Sequence, residues 1–525
     1  FMRDYSKLPM IPHIEKDGKI CLFDLEGVLI DLDFSGLFSQ CISRAFDIIE
    51  TGLYGDKEKN SQEFVREFSS YWRYLPGCRT MKCAIPENHQ TQVIKFCTGP
   101  VTKRKKESHA EYLTRSKMAG LYASSENSDF NSWGMNTTQQ NGLFCNVIAK
   151  DYILPPDFRD SISISFVNDV LALVQPECLD PISKKIASVK LIVFEIKEPN
   201  DISVCIAVLI NQAVIKKDES GIYQFSQSNE TIIQPVEVIR IDKQHLMQRT
   251  QETNLLRGKK CLLIGCGSIG SYLCNELAKA GWERITLVDN DRLKEENIYR
   301  HFLGIEYVDL YKTEALRKYF EKNIPFLHIT PLSDRIQDLW EDGGLDFHDY
   351  DIIISATGNH NVNRWLNKII YSNEVLTPVI YAWNEPLDVG CHVAVIKSDY
   401  PGCYECFFDR DPDTWDLYDN TAYCQRGQII TRNYNGCSGS FIPYGSTVSE
   451  KTVILVMDWL ERILTNRFDG NVIISWKGDA YYFRKAGLEV SKVYDGQNDI
   501  VDIKPGFCFV KKQCEICGKH YDDKG

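Results

Sequence analysis

A short apolar run followed at once by closely spaced glycines constrains the fold of this chain more than any other feature. Residues 260–264 (KCLLI) are typical of a buried strand, and a helical pattern covers 271–280. The glycines between them are Gly265, Gly267 and Gly270. A second strand pattern, 284–288, ends at Asp289. Because backbone amides and a helix N-terminus face a phosphate in such a unit, we predict an α/β domain with a Rossmann-like nucleotide site. Asp289 is placed to bind a ribose hydroxyl.

Polar and charged residues downstream distinguish the kind of nucleotide. Those that follow the second strand are Asp291, Asn297, Arg300 and Lys312. A dinucleotide dehydrogenase needs one acidic residue in this region and no convergent cations. An ATP site needs arginine and lysine, which offset the charge of the triphosphate during nucleotidyl transfer. The pattern therefore favours ATP.

From about residue 256 to the C-terminus, this pattern resembles the MoeB/ThiF and ubiquitin-activating family of adenylating enzymes. The resemblance implies a domain that binds ATP and Mg²⁺ and adenylates the C-terminal carboxylate of a protein. It implies that the three glycines bind the phosphates and that Asp289 binds the ribose. It also implies phosphate contacts from Asn297, Arg300 and Lys312.

One position departs from the family pattern. The family has an Asp-Asn pair after the next strand, here 351–356, and the Asp helps to hold Mg²⁺. Gly358 stands at that position. Either another carboxylate, such as Asp291, supplies the metal contact, or adenylation is impaired. The resemblance also implies a homodimer in which an arginine before the glycine turn reaches the partner's site, and Arg249 or Arg257 fits that role.

Two Cys-x-x-Cys pairs indicate a metal site. They are Cys403 with Cys406 and Cys514 with Cys517. Each pair presents two thiolates from a tight turn, and together they complete a tetrahedral, structural Cys₄ zinc site. The segment 401–408 matches the zinc loop of the same family. Free thiols or a redox pair are the alternative.

Of the cysteines between these pairs, Cys424 and Cys437 are candidate nucleophiles. Cys437 occupies a loop of small residues that precedes a predicted helix at 452–464. Family members that form thioesters carry their cysteine in this region, and a loop thiol near the start of a helix is suited to attack an adenylate. We predict Cys437 as this nucleophile. One alternative is that Cys424 is the nucleophile, and the other is that neither cysteine is catalytic.

A third candidate nucleophile lies near the beginning of the sequence. Residues 11–13 (IPH) and 18–22 (GKICL) resemble the active-site segment of ubiquitin-conjugating enzymes, in which His-Pro-Asn precedes Gly-x-Ile-Cys-Leu. The resemblance implies that Cys21 is a thioester nucleophile. It places His13 where the family has the Asn that stabilises the oxyanion or the loop, and a histidine can also donate a hydrogen bond there. A helical pattern at 64–72 resembles the helix that follows in bacterial members.

The sequence thus predicts three domains. They are a ubiquitin-conjugating-like α+β domain at 1–76, expected to be the C-terminal portion of that fold, an α/β linker domain at 77–250 and the adenylation domain at 251–525. The linker range includes a polar stretch, 101–142, that predicts a long loop.

Composition excludes several classes of protein. No apolar run approaches 18 residues, which argues against a membrane span, and no signal-peptide pattern is present. Acidic residues outnumber basic ones, 72 to 60, which argues against general nucleic-acid binding. Nineteen cysteines without a signal peptide indicate reduced thiols in a cytoplasmic protein.

The architecture resembles the ligase-like fusion proteins of bacterial CBASS anti-phage operons. The resemblance implies that ATP adenylates the C-terminus of a partner protein, that Cys437 captures it as a thioester and that Cys21 accepts it by transthiolation. A target amine, such as that of a lysine, then attacks. The implied partner is a cGAS/DncV-like nucleotidyltransferase.

Three alternatives remain. The first is an activating enzyme for a bacterial ubiquitin-like protein. The second is a sulfur-carrier adenylyltransferase of the MoeB/ThiF type. The third is a scaffold that binds ATP without catalysis, which Gly358 would favour.

Overall fold

The chain folds into two compact units, Phe1–Arg249 and Thr250–Gly525. The computed structural model describes residues 2, 5, 8–23, 33–98, 120–125, 138–186, 189–211, 214–225, 232–248, 256, 258–324, 326–433 and 440–518. Both the predicted conjugating-like range and the predicted linker range lie in the first unit, and the three-domain division stays a prediction. None of the helices in the described part of the chain combines the length and the apolar character that a membrane crossing requires.

Three helices follow the described residues 8–23 in the first unit: α1 (Phe34–Tyr54), α2 (Lys57–Arg66) and α3 (Phe68–Tyr74). The side chain of Asp33 caps α1, and that of Asp56 caps α2. The helical pattern predicted at 64–72 is two helices, because Glu67 at φ −99° and ψ 9° ends α2 and begins α3. Phe68 and Trp72 are fully buried, and the indole of Trp72 donates a hydrogen bond to the Val236 carbonyl at 3.0 Å.

A closed barrel forms the rest of this unit. Its described strands, in spatial order, are β1 (Arg79–Ala84), β3 (Leu121–Ser124), β2 (Gln92–Thr98), β4 (Gln140–Ile148), β5 (Leu191–Lys197), β6 (Ser203–Asn211) and β9 (Ile232–Arg240). The hairpin between β6 and β9 is β7 (Ile215–Lys217) and β8 (Tyr223–Phe225). The helices outside the barrel are α4 (Ile164–Leu171), α5 (Pro176–Leu179), α6 (Ser183–Ile186) and α7 (Lys243–Met247).

Alternation of side chains divides the apolar residues of the barrel between two cores. Phe144 and Val193 belong to one cluster with Met81 and Ala207, while their strand neighbours Leu143 and Ile192 belong to another, which includes residues of α3 and α4. The α/β prediction for this range is therefore refined to a barrel with helices on its outer side. Strand β3 and the first three residues of β4, 140–142, lie in the range predicted to be loop, and that prediction is wrong for these seven residues.

The second unit is built on a mixed eight-stranded sheet. In spatial order the strands are β12 (His328–Leu332), β11 (Arg284–Val288), β10 (Lys260–Ile264), β13 (Ile352–Ser355), β14 (Val379–Asn384), β15 (Gly390–Ile396), β20 (Val472–Lys477) and β21 (Val501–Pro505). From β12 to β14 the strands are parallel, and the last three run antiparallel to their neighbours. The predicted bounds of β10 and β11 are confirmed.

Helices cover both faces of this sheet, as its alternating apolar side chains require. They are α8 (Ser268–Lys279), α9 (Lys312–Asn323), α10 (Ile336–Glu341), α11 (His360–Ser372) and α12 (Ser446–Leu464). Two short helices, α13 (Tyr481–Lys485) and α14 (Lys492–Gly496), pack in a separate small cluster. Two short strand pairs lie outside the sheet: β16 (Phe408–Arg410) with β17 (Leu417–Asp419), and β18 (Arg432–Asn433) with β19 (Ser440–Phe441). The predicted Rossmann-like fold is confirmed.

Candidate functional site

A cleft of about 590 Å³ lies at the carboxyl ends of β10, β11 and β13. From β10 the chain proceeds to β11 and β12 on one side and then returns to β13 on the other. Ligands bind to open α/β sheets at such a reversal of strand order. The glycine turn forms the floor of this cleft: Gly265 has φ +88°, and Gly267 caps the N-terminus of α8.

A buried carboxylate and a buried cation stand side by side in the cleft. The Asp289 carboxylate accepts hydrogen bonds from the backbone N–H groups of Cys266 at 2.7 Å and Asp291 at 2.8 Å. The Lys312 ammonium lies 2.8 Å from Asp291 Oδ2 and 4.0 Å from Asp289 Oδ1. Burial raises the pKa of the Asp289 carboxyl, and the charge of Lys312 opposes this rise. Asp289 is thereby fixed on the glycine turn, with Lys312 beside it.

A neutral histidine supports the glycine turn from behind. His301 Nδ1 accepts a hydrogen bond from the Leu303 N–H at 3.0 Å, so its Nε2–H donates to the Cys266 carbonyl at 3.0 Å. Burial lowers the pKa of His301 to about 4. The neutral ring therefore fixes the carbonyl of the residue whose N–H binds Asp289.

Arg300 faces the cleft between two aromatic rings. Its guanidinium carbon lies 5.5 Å from the Tyr444 ring centroid and 5.9 Å from that of Phe441. All three residues line the cleft. The end of the aromatic segment is held by Asp388 Oδ1, which accepts a hydrogen bond from the Gly445 N–H at 2.7 Å. Because ring contacts orient a guanidinium without neutralising its charge, Arg300 remains available to an anion.

A chain of hydrogen bonds joins the glycine turn to α12. Ser268 Oγ lies 2.7 Å from Ser449 Oγ, which also accepts from Asn384 Nδ2 at 2.9 Å. Asn384 Oδ1 accepts from Thr452 Oγ1 at 2.6 Å. Ser449 and Thr452 are fully buried. Asn384 lines the cleft, so it connects the nucleotide-facing surface to the helix that follows the predicted cysteine loop.

Two predicted positions have a different environment from the one the family pattern implies. Asn297 Oδ1 accepts a hydrogen bond from the Lys294 N–H at 3.1 Å, and Asn297 is not among the described residues that line the cleft. Its contact to a phosphate stays a prediction. Gly358 does line the cleft, with φ +61°, and a Cβ there would meet no described atom within 4 Å. The position therefore has room for the carboxylate that the family carries.

The four predicted metal-binding cysteines come together. Their sulfur atoms all lie within 4.8 Å of one another. The separations are 3.9 Å for Cys403–Cys406, 3.6 Å for Cys403–Cys514 and 3.5 Å for Cys406–Cys517. A zinc ion bound to four sulfurs at about 2.3 Å separates them by about 3.8 Å. The donor set and its spacing thus fit a structural zinc ion.

The first cysteine pair is anchored on α11. Arg364 makes two hydrogen bonds to Glu405, at 2.7 and 2.6 Å. The hydroxyl of Tyr404 lies 2.9 Å from His360 Nδ1 and accepts from Asn363 Nδ2 at 3.0 Å. Since α11 begins at the rim of the cleft, the cysteine cluster supports the same region of the sheet.

The alternative nucleophile Cys424 is buried and poorly activated. Its thiol donates to the Gln425 carbonyl and accepts from Gln428 Nε2, both at 3.4 Å. Burial raises the pKa of Cys424 to about 11. This environment disfavours a thiolate at neutral pH. Cys437 lies outside the described residues, between β18 and β19, and Arg249 and Arg257 also lie outside them.

In the first unit, Cys21 lies at the end of a tight hairpin. Ile14 and Ile20 form an antiparallel bridge, and the Cys21 N–H donates to the His13 carbonyl at 2.8 Å. Ile14 is buried, whereas Cys21 is exposed. The hairpin therefore presents the cysteine at the surface while its apolar side chains anchor it in the core.

Carboxylates occupy both ring nitrogens of His13. Nδ1 lies 2.9 Å from Glu67 Oε1, and Nε2 lies 3.3 Å from Glu63 Oε2. The hydrogen bond and charge of Glu67 raise the pKa of His13. The predicted stabilisation of an oxyanion by His13 stays a prediction, since the ring contacts described for it are with these two carboxylates.

Sequence reasoning missed several of these residues. Asn384, Phe441 and Tyr444 line the cleft from strands and loops far from the glycine motif. Glu63 and Glu67, four residues apart on one helical face, were a visible pattern without an assigned role. Nothing in local sequence connects them to a hairpin about 50 residues earlier.

Two family models match the ranges that contain these sites. Residues 242–448 match the ThiF family, and residues 1–76 match prokaryotic E2 family B. The first range contains the cleft residues up to Tyr444, and the second contains the Cys21 hairpin. The predicted fusion of an adenylating module with a conjugating-like module is confirmed.

Two curated relatives match most of the chain. The ATP-dependent ubiquitin transferase-like protein Cap2 of Pseudomonas aeruginosa is 24% identical in an alignment of 486 residues that covers 87% of this chain and 81% of that protein. Cap2 of Escherichia coli is 23% identical in an alignment of 491 residues that covers 85% of this chain and 79% of that protein. The structure of E. coli MccB with MccA-N7isoASN is 18% identical, covers 50% of this chain and 68% of its own, and has a TM-score of 0.36. The fold assignment rests on the family matches and the sheet topology.

Proposed function

We propose that this chain, a fusion of a prokaryotic E2-type domain with a ThiF-family domain, uses ATP to join the C-terminal carboxylate of a partner protein to a target amine. The observation that carries the proposal is the convergence of Arg300 and Lys312 beside Asp289 in one cleft. Cations arranged in this way offset phosphate charge as it develops. The exposed Cys21 hairpin in the same chain supports a second, group-transfer stage.

In the proposed first step, an oxygen of the partner's C-terminal carboxylate attacks the α-phosphorus of ATP. The bond from that phosphorus to the bridging oxygen breaks, and pyrophosphate leaves. The amides of the glycine turn and the charges of Arg300 and Lys312 stabilise the phosphates, while Asp289 accepts a hydrogen bond from a ribose hydroxyl. The product is an acyl-adenylate.

In the proposed later steps, the acyl group passes between sulfurs. The Cys437 thiolate attacks the acyl carbon, and AMP leaves. The Cys21 thiolate then attacks the thioester and releases Cys437 as a thiolate. A target amine, such as that of a lysine, attacks the second thioester, loses a proton and releases Cys21.

The proposed function requires two metal ions. Mg²⁺ would neutralise charge on the triphosphate, and Asp291 is the carboxylate that we assign to it. The Asp291 side chain is 65% exposed at the cleft, and Gly358 provides no carboxylate. Zn²⁺ would be held by the four clustered cysteines as a structural ion, with no open position for water.

We further propose that the acyl donor is a cGAS/DncV-like nucleotidyltransferase and that the reaction serves CBASS anti-phage defence. Similarity to the Cap2 proteins over most of the chain supports this assignment. The same family relation supports a homodimer, in which Arg249 of one subunit would reach the other's cleft.

The test is to express a Cys21→Ser variant with its genomic neighbours and to measure its intact mass. Serine converts a short-lived thioester into a slower-reacting oxyester. We expect an adduct equal to a neighbour's mass minus one water, absent from Cys21→Ala and from Lys312→Ala. If Cys21→Ser carried no adduct while Cys437→Ser trapped one, the E2-type domain would have only a docking role. No adduct on either, with ATP binding retained, would overturn the proposal.

One observation favours a second candidate, a scaffold that binds ATP without catalysis. Gly358 leaves the cleft without the carboxylate that the family pattern places there. Release of pyrophosphate separates the two. A scaffold would release none in the presence of any candidate partner, whereas the proposed enzyme releases one pyrophosphate for each acyl-adenylate.

A further inference from the structure

We propose that Glu67 is a positioning residue for Cys21, and that the turn at 157–159 supports it from the barrel side of the first unit. The inference rests on the proposed function of Cys21 as an acyl acceptor. It assigns roles to a carboxylate and to a segment of the predicted linker that the proposed mechanism does not use.

Glu67 is the centre of a compact hydrogen-bond network. Its Oε2 accepts from the backbone N–H of His13 at 3.0 Å and from the Tyr71 hydroxyl at 2.9 Å. Its Oε1 lies 2.9 Å from His13 Nδ1. Glu67 thus binds both the backbone and the side chain of one residue across 54 positions of sequence. These three contacts fix the backbone of His13 at the junction of α2 and α3.

His13 transmits this restraint to Cys21 through its backbone. His13 has φ +66°, in the left-handed region that residues other than glycine seldom adopt, so its surroundings must hold this backbone conformation. Its N–H is bound by Glu67, and its carbonyl accepts the Cys21 N–H at 2.8 Å. The carboxylate therefore fixes the residue whose carbonyl fixes the cysteine.

The 157–159 turn supports the other side of Glu67. The ring of Tyr71 stacks on Phe158 with 6.1 Å between centroids and 7° between planes. Arg159 donates to the Leu8 carbonyl at 2.7 Å and is held by Asp157. Tyr71 and Phe158 share a buried cluster with Ile11 and Ile14 of the cysteine hairpin. Packing from the barrel side thus fixes the tyrosine that donates to Glu67.

The network depends on charge. Burial favours the neutral acid, but the hydrogen bonds and charge of His13 outweigh it and lower the pKa of Glu67. Glu63 faces His13 Nε2 and is itself bound by Arg66 at 2.6 Å. Burial and the charge of Glu67 raise the pKa of Tyr71, which keeps its hydroxyl a donor.

The sign of the pH dependence follows from these groups. The pKa of His13 is raised in the folded chain, so the imidazolium contributes fully below about pH 6.5, the ordinary value. The stabilisation by the imidazolium is lost as the pH rises through the raised pKa of His13. Glu67 stays ionised over this range. The Cys21 hairpin should therefore be held most firmly on the acidic side of neutrality.

Hydrogen exchange of the full chain tests the positioning directly. In Glu67→Gln, we expect the backbone amides of residues 13–23, which include that of Cys21, to exchange at least threefold faster at pH 7 than in the parent. Glu58→Gln makes the same chemical change at an exposed position of α2. It should leave this exchange unchanged. Equal exchange in Glu67→Gln and the parent would overturn the inference.

A second variant separates charge from geometry. Asn is tolerated at positive φ and can donate to Glu67, but it does not titrate. In the parent, the exchange of amides 13–23, corrected for intrinsic rates, should rise between pH 6 and 8 as His13 loses its charge. His13→Asn should abolish this rise. A variant that keeps the parent's pH profile would overturn the role of His13 charge.

The transfer reaction supplies an independent readout. If the parent forms the Cys21 adduct, Glu67→Gln should form it at least fivefold more slowly, with the Cys437 adduct unaffected. If the parent forms no adduct with any neighbour, the proposed function fails, and hydrogen exchange still decides whether Glu67 holds the hairpin. An adduct formed at the parent rate in a variant with faster exchange would overturn the positioning role.

Discussion

A Cβ on Gly270 would lie 1.8 Å from the carbonyl oxygen of Gly265. No rotation of a side chain relieves this contact, because the clashing atom is backbone. Overpacking of a buried site costs about 1–3 kcal/mol or more. We therefore expect Gly270→Ala to lower the melting temperature of the second unit by about 5 °C, measured by calorimetry without nucleotide.

Gly267→Ala is the matched control, because a Cβ there would meet no described atom within 4 Å. Its melting temperature should stay within about 1 °C of the parent. The added methyl faces the cleft, so the rise in melting temperature on adding ATP should shrink. Equal melting temperatures for the two variants would contradict the contact described for Gly270.

The parts of this molecule that sequence could predict are those whose signals are local. The strands β10 and β11 are apolar runs with glycines between them, and the cysteine cluster consists of two short motifs. The helix break at Glu67 was missed, because the apolar spacing continues through it. The barrel was missed because the pair that closes it, β1 with β9, is distant in sequence, and because successive side chains of its strands alternate between two cores.

The candidate sites show the same division. Asp289 and Lys312 both line the cleft at the glycine turn, since Asp289 directly follows β11 and Lys312 begins α9; their roles stay predictions. The partners of Arg300, by contrast, come from the segment before α12, and those of His13 come from α2 and from its junction with α3. Such contacts depend on tertiary packing, which no spacing in the sequence encodes.

Burial argues against Cys424 as the nucleophile of the second unit. The pKa of Cys424 is raised to about 11 by burial, so only a trace is thiolate at neutral pH. We expect Cys424→Ser to form the Cys21 adduct at a rate within twofold of the parent, and Cys437→Ala to abolish it. Intact mass after quenching at low pH measures both. Loss of the adduct in Cys424→Ser alone would contradict the assignment.

The sulfur cluster predicts one zinc ion per chain, measured by elemental analysis of the purified protein. Cys514→Ser should reduce that content at least fivefold and lower the melting temperature of the second unit, since a structural site contributes directly to folding. Cys508→Ser removes an exposed cysteine of the same region. It should retain the full zinc content. A parent protein without zinc, or a Cys514→Ser variant with the full content, would contradict the prediction.

Acid should destabilise the second unit through His301. Its pKa is about 4 in the folded chain because of burial, against about 6.5 when unfolded. Between these values only the unfolded state takes up the proton, so stability falls as the pH falls, by about 3 kcal/mol in total. His301→Gln keeps a donor for the Cys266 carbonyl and does not titrate. Its melting temperature should start below that of the parent at pH 7.5, because the Leu303 N–H loses its acceptor.

The difference in melting temperature between His301→Gln and the parent should then narrow as the pH falls from 6.5 to 4.5. Scanning fluorimetry at a series of pH values measures this difference. His348→Gln is the control, since His348 is exposed and its side chain is 52% accessible. Its melting profile should run parallel to that of the parent. A constant difference between His301→Gln and the parent across this range would show that His301 does not carry the acid sensitivity. In that case the neutral ring could not be what holds the Cys266 carbonyl under the nucleotide cleft.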